Sequence, residues 1–142
     1  MFGARKLQIF YKSTAALILL ALLNACSSAD TADISAVLDA RTAAVNEKNI
    51  AAYADVLVDH YNFGGRTKND VLMQTFDQFK FFQNIKMKTH NRHINIVDDT
   101  HALCEQSYTL KVMADNEWRN MVQQEQLQLI KQGGTWKISG GL

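Results

Sequence analysis

The sequence predicts an α+β domain behind a removable leader, and three observations carry that reading. Apolar residues recur at helical spacing from Ile34 to Phe79, then alternate with a period of two from Ile85 onward. Turn-forming pairs divide the second half into four segments. Ahead of both, Thr14 to Leu23, TAALILLALL, is an unbroken apolar run of ten residues. Helices followed by consecutive strands give helices on one face of an antiparallel sheet.

The leader comes first. Arg5, Lys6 and Lys12 are positive, and no acidic residue precedes Cys26. The apolar run falls short of the roughly 20 residues a membrane-spanning helix needs. A charged start, a short apolar centre and a small-residue exit mark a secretory signal peptide. Leu23-Asn24-Ala25-Cys26 resembles a bacterial lipobox, in which the cysteine becomes the first mature residue and carries lipid. Each buried methylene contributes about 0.8 kcal/mol, and two or more acyl chains hold a protein to a bilayer. Ser27 after the cysteine, by resemblance to sorting in Gram-negative cells, implies the outer membrane, facing the periplasm. The expected divisions are a leader at 1–25, a lipidated tether at 26–32 and one domain at 33–142. The alternative is a soluble secreted chain with an incidental cysteine.

Removing the leader leaves 117 of 142 residues, enough for one small core. Losing Arg5, Lys6 and Lys12 takes the 15 basic residues to 12 against 14 acids, a net charge of −2. That balance argues against a nucleic-acid partner, which selects strongly basic faces. With Cys26 modified, Cys104 has no partner for a disulfide. There is no Cys-x-x-Cys pair and no proline, and no cofactor is expected.

Each element follows from local pattern. Ile34, Val37, Leu38, Ala44 and Val45 place a helix over 31–48, capped by Thr31 or Asp33. Asn49 caps a second helix, IAAYADVLVDHY, with Ile50, Tyr53, Val56, Leu57 and His60 on one face. Gly64-Gly65 breaks the pattern, and Asn69-Asp70 opens a third helix with the stripe Val71, Leu72, Thr75, Phe76 and Phe79. Strands are expected over 85–97, 102–114, 118–132 and 135–138. Asp98-Asp99, Ala114-Asp115-Asn116 and Gly133-Gly134 turn between them, the last as a two-residue hairpin.

The helix–break–helix VLDARTAAVNEKNIAAYADVLVDHYNFGG and the terminal EQLQLIKQGGTWKI resemble the nuclear-transport-factor-2-like, or SnoaL-like, superfamily. The resemblance covers residues 34–142 and implies a cystatin-like cone, a curved sheet wrapped around the first helix. That superfamily holds isomerases, cyclases and dehydratases beside many binding and scaffold members, so the fold alone assigns no activity. Aligned on Val45-Asn46 and Asp59, the isomerase's oxyanion tyrosine falls on Arg41 and its general-base aspartate on Gly65. A glycine cannot move a proton. The second oxyanion donor has a counterpart in Glu125.

Alternation puts Met121, Gln123, Glu125, Leu127 and Leu129 on one face, which the resemblance makes the concave one. Glu125 is drawn out of water there, a cost that Arg41 opposite would offset. The expected ligand pocket is Arg41, Tyr53, Tyr61, Gln123, Glu125 and Leu127. Glu125, Arg41 and His60 are the candidate catalytic groups, against the simpler reading of a structural Arg–Glu pair. Asp59, His60 and Tyr61 are adjacent on a helix, about 100° apart, so they do not converge. His90 and His93 fall on opposite faces of a regular strand, and no third ligand is visible, so no metal is expected. Cys104 reads as a half-buried small residue. Phe76, Phe79, Phe81, Phe82, Trp118 and Trp136 are core fillers or a ligand platform, with one of Phe81 and Phe82 left to reach an interface.

Three function classes follow. The first is a non-catalytic envelope lipoprotein binding a small apolar or amphipathic molecule. The second is a structural or interaction module, a homodimer through the convex face with its row Trp118, Asn120, Val122, Gln124, Gln126 and Gln128. The third is a small hydrolase, cyclase or isomerase using Glu125 with Arg41 or His60.

Overall fold

The computed structural model describes the backbone of residues 11–142 and the side chains of residues 28–142. The side chain of Cys26 and the side chains of the expected leader lie outside the described residues. The elements run α1 (Tyr11–Asn46), α2 (Ile50–Asp55), β1 (Asn62–Phe63), β2 (Arg66–Thr67), α3 (Lys68–Phe81), β3 (Asn84–Ile96), β4 (His101–Ala114), β5 (Glu117–Gln132) and β6 (Thr135–Gly140). β3, β4, β5 and β6 form an antiparallel meander in that order, and β1 and β2 a separate small hairpin. Four strands in sequence order need only tight turns, the cheapest antiparallel connection. The sheet is curved, and α1 packs against it.

The core lies between that helix and the concave face. Ile34, Leu38 and Val45 of α1 meet Ile85, Met87, Cys104, Leu127, Leu129 and Ile138, all buried. Trp136 is 2% exposed and closes the β5–β6 end. Its Nε1 donates to Asp30 Oδ1 at 3.0 Å, and Lys131 Nζ donates to the same oxygen at 2.7 Å. These contacts fix the helix against the sheet near its start in the domain.

Two expectations about helices are corrected. α1 does not begin at a cap on Thr31 or Asp33; it runs unbroken through 26–32, the stretch expected as a tether. No glycine or proline interrupts residues 11–48, so nothing in the local chemistry stops the helix. The second helix is capped by Asn49, whose side chain accepts from the Ala52 N–H, but it ends at Asp55 rather than continuing to Tyr61. After the C-cap Val56, Leu57 instead bridges in parallel to Ile138 of β6, with Val58 N–H to Ile138 O at 3.0 Å and Ile138 N–H to Val56 O at 2.8 Å. Leaving the helix buries all three apolar side chains, whereas a continued helix could bury only one side of the run.

Gly64-Gly65 is a tight hairpin turn, with φ of 60° and 77° that a side chain would strain. α3 then starts at Lys68, and Thr67 rather than Asn69 is its cap. Thr67 and Asp70 form a reciprocal capping box. Its buried stripe is Val71, Thr75 and Phe79, while Phe76 and Phe81 face outward. The long strands fall where alternation placed them, and both Gly133-Gly134 and Asp115-Asn116 take positive φ. Regular pairing is broken by a bulge between His90 and His93, where Asn91 has φ 55°, and by a register shift at Gln128–Leu129 against β6.

The β3–β4 turn is held by one carboxylate. Asp98 Oδ1 accepts from the backbone N–H groups of Thr100 and His101, both at 2.8 Å, and faces the His101 ring at 3.0 Å. These donors pull the Asp98 pKa down to about 2, backbone donation from Thr100 leading. A depressed carboxylate stabilises the fold above its unfolded value near 3.8, and that contribution disappears as pH falls towards 2. Carbon-13 NMR of the Asp98 carboxyl should therefore show a midpoint near 2. A midpoint at or above the ordinary value would mean that the turn is open.

Candidate functional site

Leu38, Arg41 and Val45 lie three and four residues apart on α1 and share its inward face. On β5, Glu125 alternates with the buried Leu127 and Leu129 and so points at the same helix. The two charges meet as a fork. Arg41 Nη1 donates to Glu125 Oε1 at 2.7 Å and Nη2 to Oε2 at 3.1 Å, with side chains 8% and 9% exposed. Bidentate geometry is the strong form of this contact. Burial works against the Arg41 charge, but Tyr53 and Glu125 more than offset it and hold the guanidinium above its ordinary pKa.

The pair is itself held. The ladder sets Gln106 opposite Glu125, and its Nε2 donates to Glu125 Oε1 at 2.7 Å. Arg41 Nε donates to the Tyr53 hydroxyl at 3.4 Å. Arg92 Nε donates to Gln106 Oε1 at 2.9 Å, and Arg92 Nη2 pairs with Asp39 at 2.8 Å. Arg92 reaches inward because the Asn91 bulge shifts the strand by one residue. Neither Arg92 nor Gln106 was singled out from sequence. The available signal was an asparagine, which tolerates positive φ, inside a long strand.

Beside this network opens a cleft of about 490 Å³. Gln74 and Gln78 of α3 face Tyr108 and Gln123 of the sheet across it, and Arg66 stands at one side. Tyr108 donates to Gln123 Oε1 at 3.1 Å. Arg66 donates to the backbone carbonyl of Leu142 at 2.8 Å and also bonds Gln74 Oε1. Burial, then the nearby Glu125 charge, raises the Tyr108 pKa, so its hydroxyl stays protonated at neutral pH.

Of the residues named from sequence, Arg41, Tyr53, Gln123 and Glu125 line this cleft. Leu127 is fully buried in the core. Tyr61 is buried elsewhere, its hydroxyl accepting from the Leu142 N–H at 3.1 Å. His60 is exposed and Asp59 pairs with Lys68 at 3.1 Å; Asp59, His60 and Tyr61 do come together, lining a second cleft of about 600 Å³ whose lining residues are separate from those around Arg41 and Glu125. Gly65 sits in the exposed hairpin turn. Cys104 is fully rather than half buried, and burial pushes its thiol up to about 11, which leaves it unreactive. His90 and His93 do share a face, because the bulge pairs them with Ser107 and Glu105, two apart. Among the described residues, no group of three or more metal-ligating side chains could hold an ion.

Breaking a buried pair leaves one charge stranded, which costs about 3–5 kcal/mol, whereas apolar replacement of both partners is far milder. Arg41→Met and Glu125→Leu should each cost about that much in urea unfolding, and the double variant well under the sum. Additive costs would show that the two charges do not interact.

No family model matches the chain, and no curated protein matches it. Solved structures do. Hexachlorocyclohexane dehydrochlorinase LinA-type3 from Novosphingobium barchaimii superposes with a TM-score of 0.68 at 12% identity, over 82% of this chain and 86% of that one. A candidate dehydratase of the nuclear-transport-factor-2-like family from Streptomyces avermitilis gives 0.67 at 10% identity, over 80% and 94%. A protein with a cystatin-like fold from Caulobacter vibrioides gives 0.66 at 15% identity, over 78% and 85%. Likeness at such identities is a likeness of fold. The chain has the nuclear-transport-factor-2-like cone, an α+β fold with a helix packed in a curved antiparallel sheet.

Proposed function

We propose that the protein is an envelope lipoprotein, tethered by a lipidated Cys26 to the outer membrane on its periplasmic side, whose cone binds a small molecule without transforming it. The observation that carries the binding reading is the saturation of Glu125. Among the described residues lining the cleft, Glu125 is the one acidic side chain, and no histidine is present. Its two oxygens already accept from Arg41 and Gln106. Elimination of hydrogen chloride or water, the chemistry in the neighbours' names, requires a group that can take a proton. Here that group is locked to a cation. What faces the cleft instead, beside Arg66, is Gln74, Gln78, Gln123 and Tyr108, neutral groups that bind by hydrogen bonds.

A second reading, a homodimer through the convex face, is favoured by one observation. Trp118 and Val122 on that face of β5 are 42% and 70% exposed, the latter among glutamines. In this reading the cone is a scaffold and the convex sheet is the working surface.

Native mass spectrometry of protein extracted from membranes tests the proposal. A lipid-sized mass addition that vanishes in Cys26→Ser, together with one retained small molecule, is the expected result. Turnover of a panel of carbonyl or chlorinated substrates, abolished by Glu125→Gln, would replace binding with catalysis. A stable dimer with an empty cone would favour the second reading.

A further inference from the structure

The domain is clamped to α1 close to the proposed point of attachment. Asp30 Oδ1 accepts from Trp136 Nε1 at 3.0 Å and from Lys131 Nζ at 2.7 Å, which fixes that turn of the helix to the β5–β6 end of the sheet. Cys26 lies four residues upstream of Asp30, and α1 is continuous between them. At the helical rise, four residues span about 6 Å. Pulled straight they reach about 14 Å. Even then the stalk is shorter than the diameter of a small domain, about 30 Å.

Strand pairing defines what stands at the clamped end. Lys131 N–H donates to Thr100 O at 2.8 Å, so the β3–β4 turn around Asp98 lies beside the β5–β6 hairpin that turns at Gly133-Gly134. Val97, 57% exposed, adjoins the first of these turns. Asp98 and Asp99 are exposed there too, so a short tether, rather than attraction to anionic headgroups, brings this end to a bilayer.

The cleft lies towards the opposite end. From Asp30 to Arg41 the helix climbs about 16 Å. From Lys131 back to Gln123 there are eight residues of β5, about 26 Å of strand. α3, which carries Gln74 and Gln78, finishes beside the far turn, where Gln83 N–H donates to Met113 O at 2.9 Å. Trp118 pairs with Met113 at that far turn, whereas Trp136 sits at the clamp.

We propose that the protein stands on its β3–β4 and β5–β6 turns against the membrane that anchors it, with the cleft held away from that bilayer and open to the aqueous compartment. This rests on the reading of Cys26 as lipidated and adds an orientation to it. The ligand then arrives through water or from a partner across the compartment, and the cleft does not reach into the anchoring leaflet. A long flexible linker would let either end meet lipid; four residues ending in a clamp do not.

The two tryptophans report the two ends. The lipidated protein, carrying 5-fluorotryptophan, is placed in phosphatidylcholine nanodiscs with and without nitroxide-headgroup lipid and read by fluorine-19 NMR, with Trp118→Phe assigning the lines. Trp136 should gain about threefold or more the extra width of Trp118. A flexible Gly-Ser insertion of about 20 residues between Ser28 and Ala29 should bring the two lines to equality. Equal broadening in the unaltered chain, stronger broadening of Trp118, or none at either overturns the orientation, while a lipid mass on Cys26 leaves the anchor standing. A chain that mass spectrometry finds unmodified at Cys26 removes anchor and orientation together.

Discussion

A guanidinium and a carboxylate, each more than nine-tenths buried as side chains, face each other across the inside of the cone. Taking two ions out of water costs several kcal/mol each, and only close, fully hydrogen-bonded geometry offsets it. The surroundings of Arg41 and Glu125 meet that demand. Gln106 and Tyr53 bond the pair, Arg92 anchors Gln106, and Asp39 anchors Arg92. Among the described residues, no buried side-chain polar atom is left without a partner. The network ties α1 to β3, β4 and β5 at once. A slip of one residue in β5 would turn Glu125 out and strand Arg41, so the pair also specifies register.

The same constraint shapes what the cleft can do. A carboxylate committed to two donors offers a positioned negative surface rather than a mobile proton acceptor. In the proposed reading the cavity beside it holds a ligand, with amides and a phenol for its polar part. The bulge at Asn91 belongs to this logic: it brings Arg92 inward to finish the network and sends His90 and His93 together to the outer face.

Much of this was legible in the sequence because the strongest signals are local. The alternation from Ile85 to Ile138 placed four long strands to within a few residues, since each inward position is apolar or satisfied. The Arg41–Glu125 contact followed from two independent periodicities and a superfamily resemblance. What escaped depends on tertiary competition. Val56-Leu57-Val58 has helical spacing in the chain, but β6 offers it backbone partners and burial together. The continuation of α1 through 26–32 reflects the absence of any breaker, a weaker signal than the cap residues Thr31 and Asp33. Arg92 could not be found by counting, because the bulge changes the parity on which the counting rests. Arg66 joined the cleft through a hairpin of two residues per strand, shorter than alternation can reveal.

The most direct test of a locked ion pair at the heart of the cone is nitrogen-15 NMR of the arginine side chains at neutral pH. The account predicts that Arg41 gives resolved, slowly exchanging Nη signals, as a guanidinium gripped by Glu125 and Tyr53 cannot rotate freely or meet water. Averaged, rapidly exchanging Arg41 signals matching those of exposed arginines such as Arg119 would contradict it.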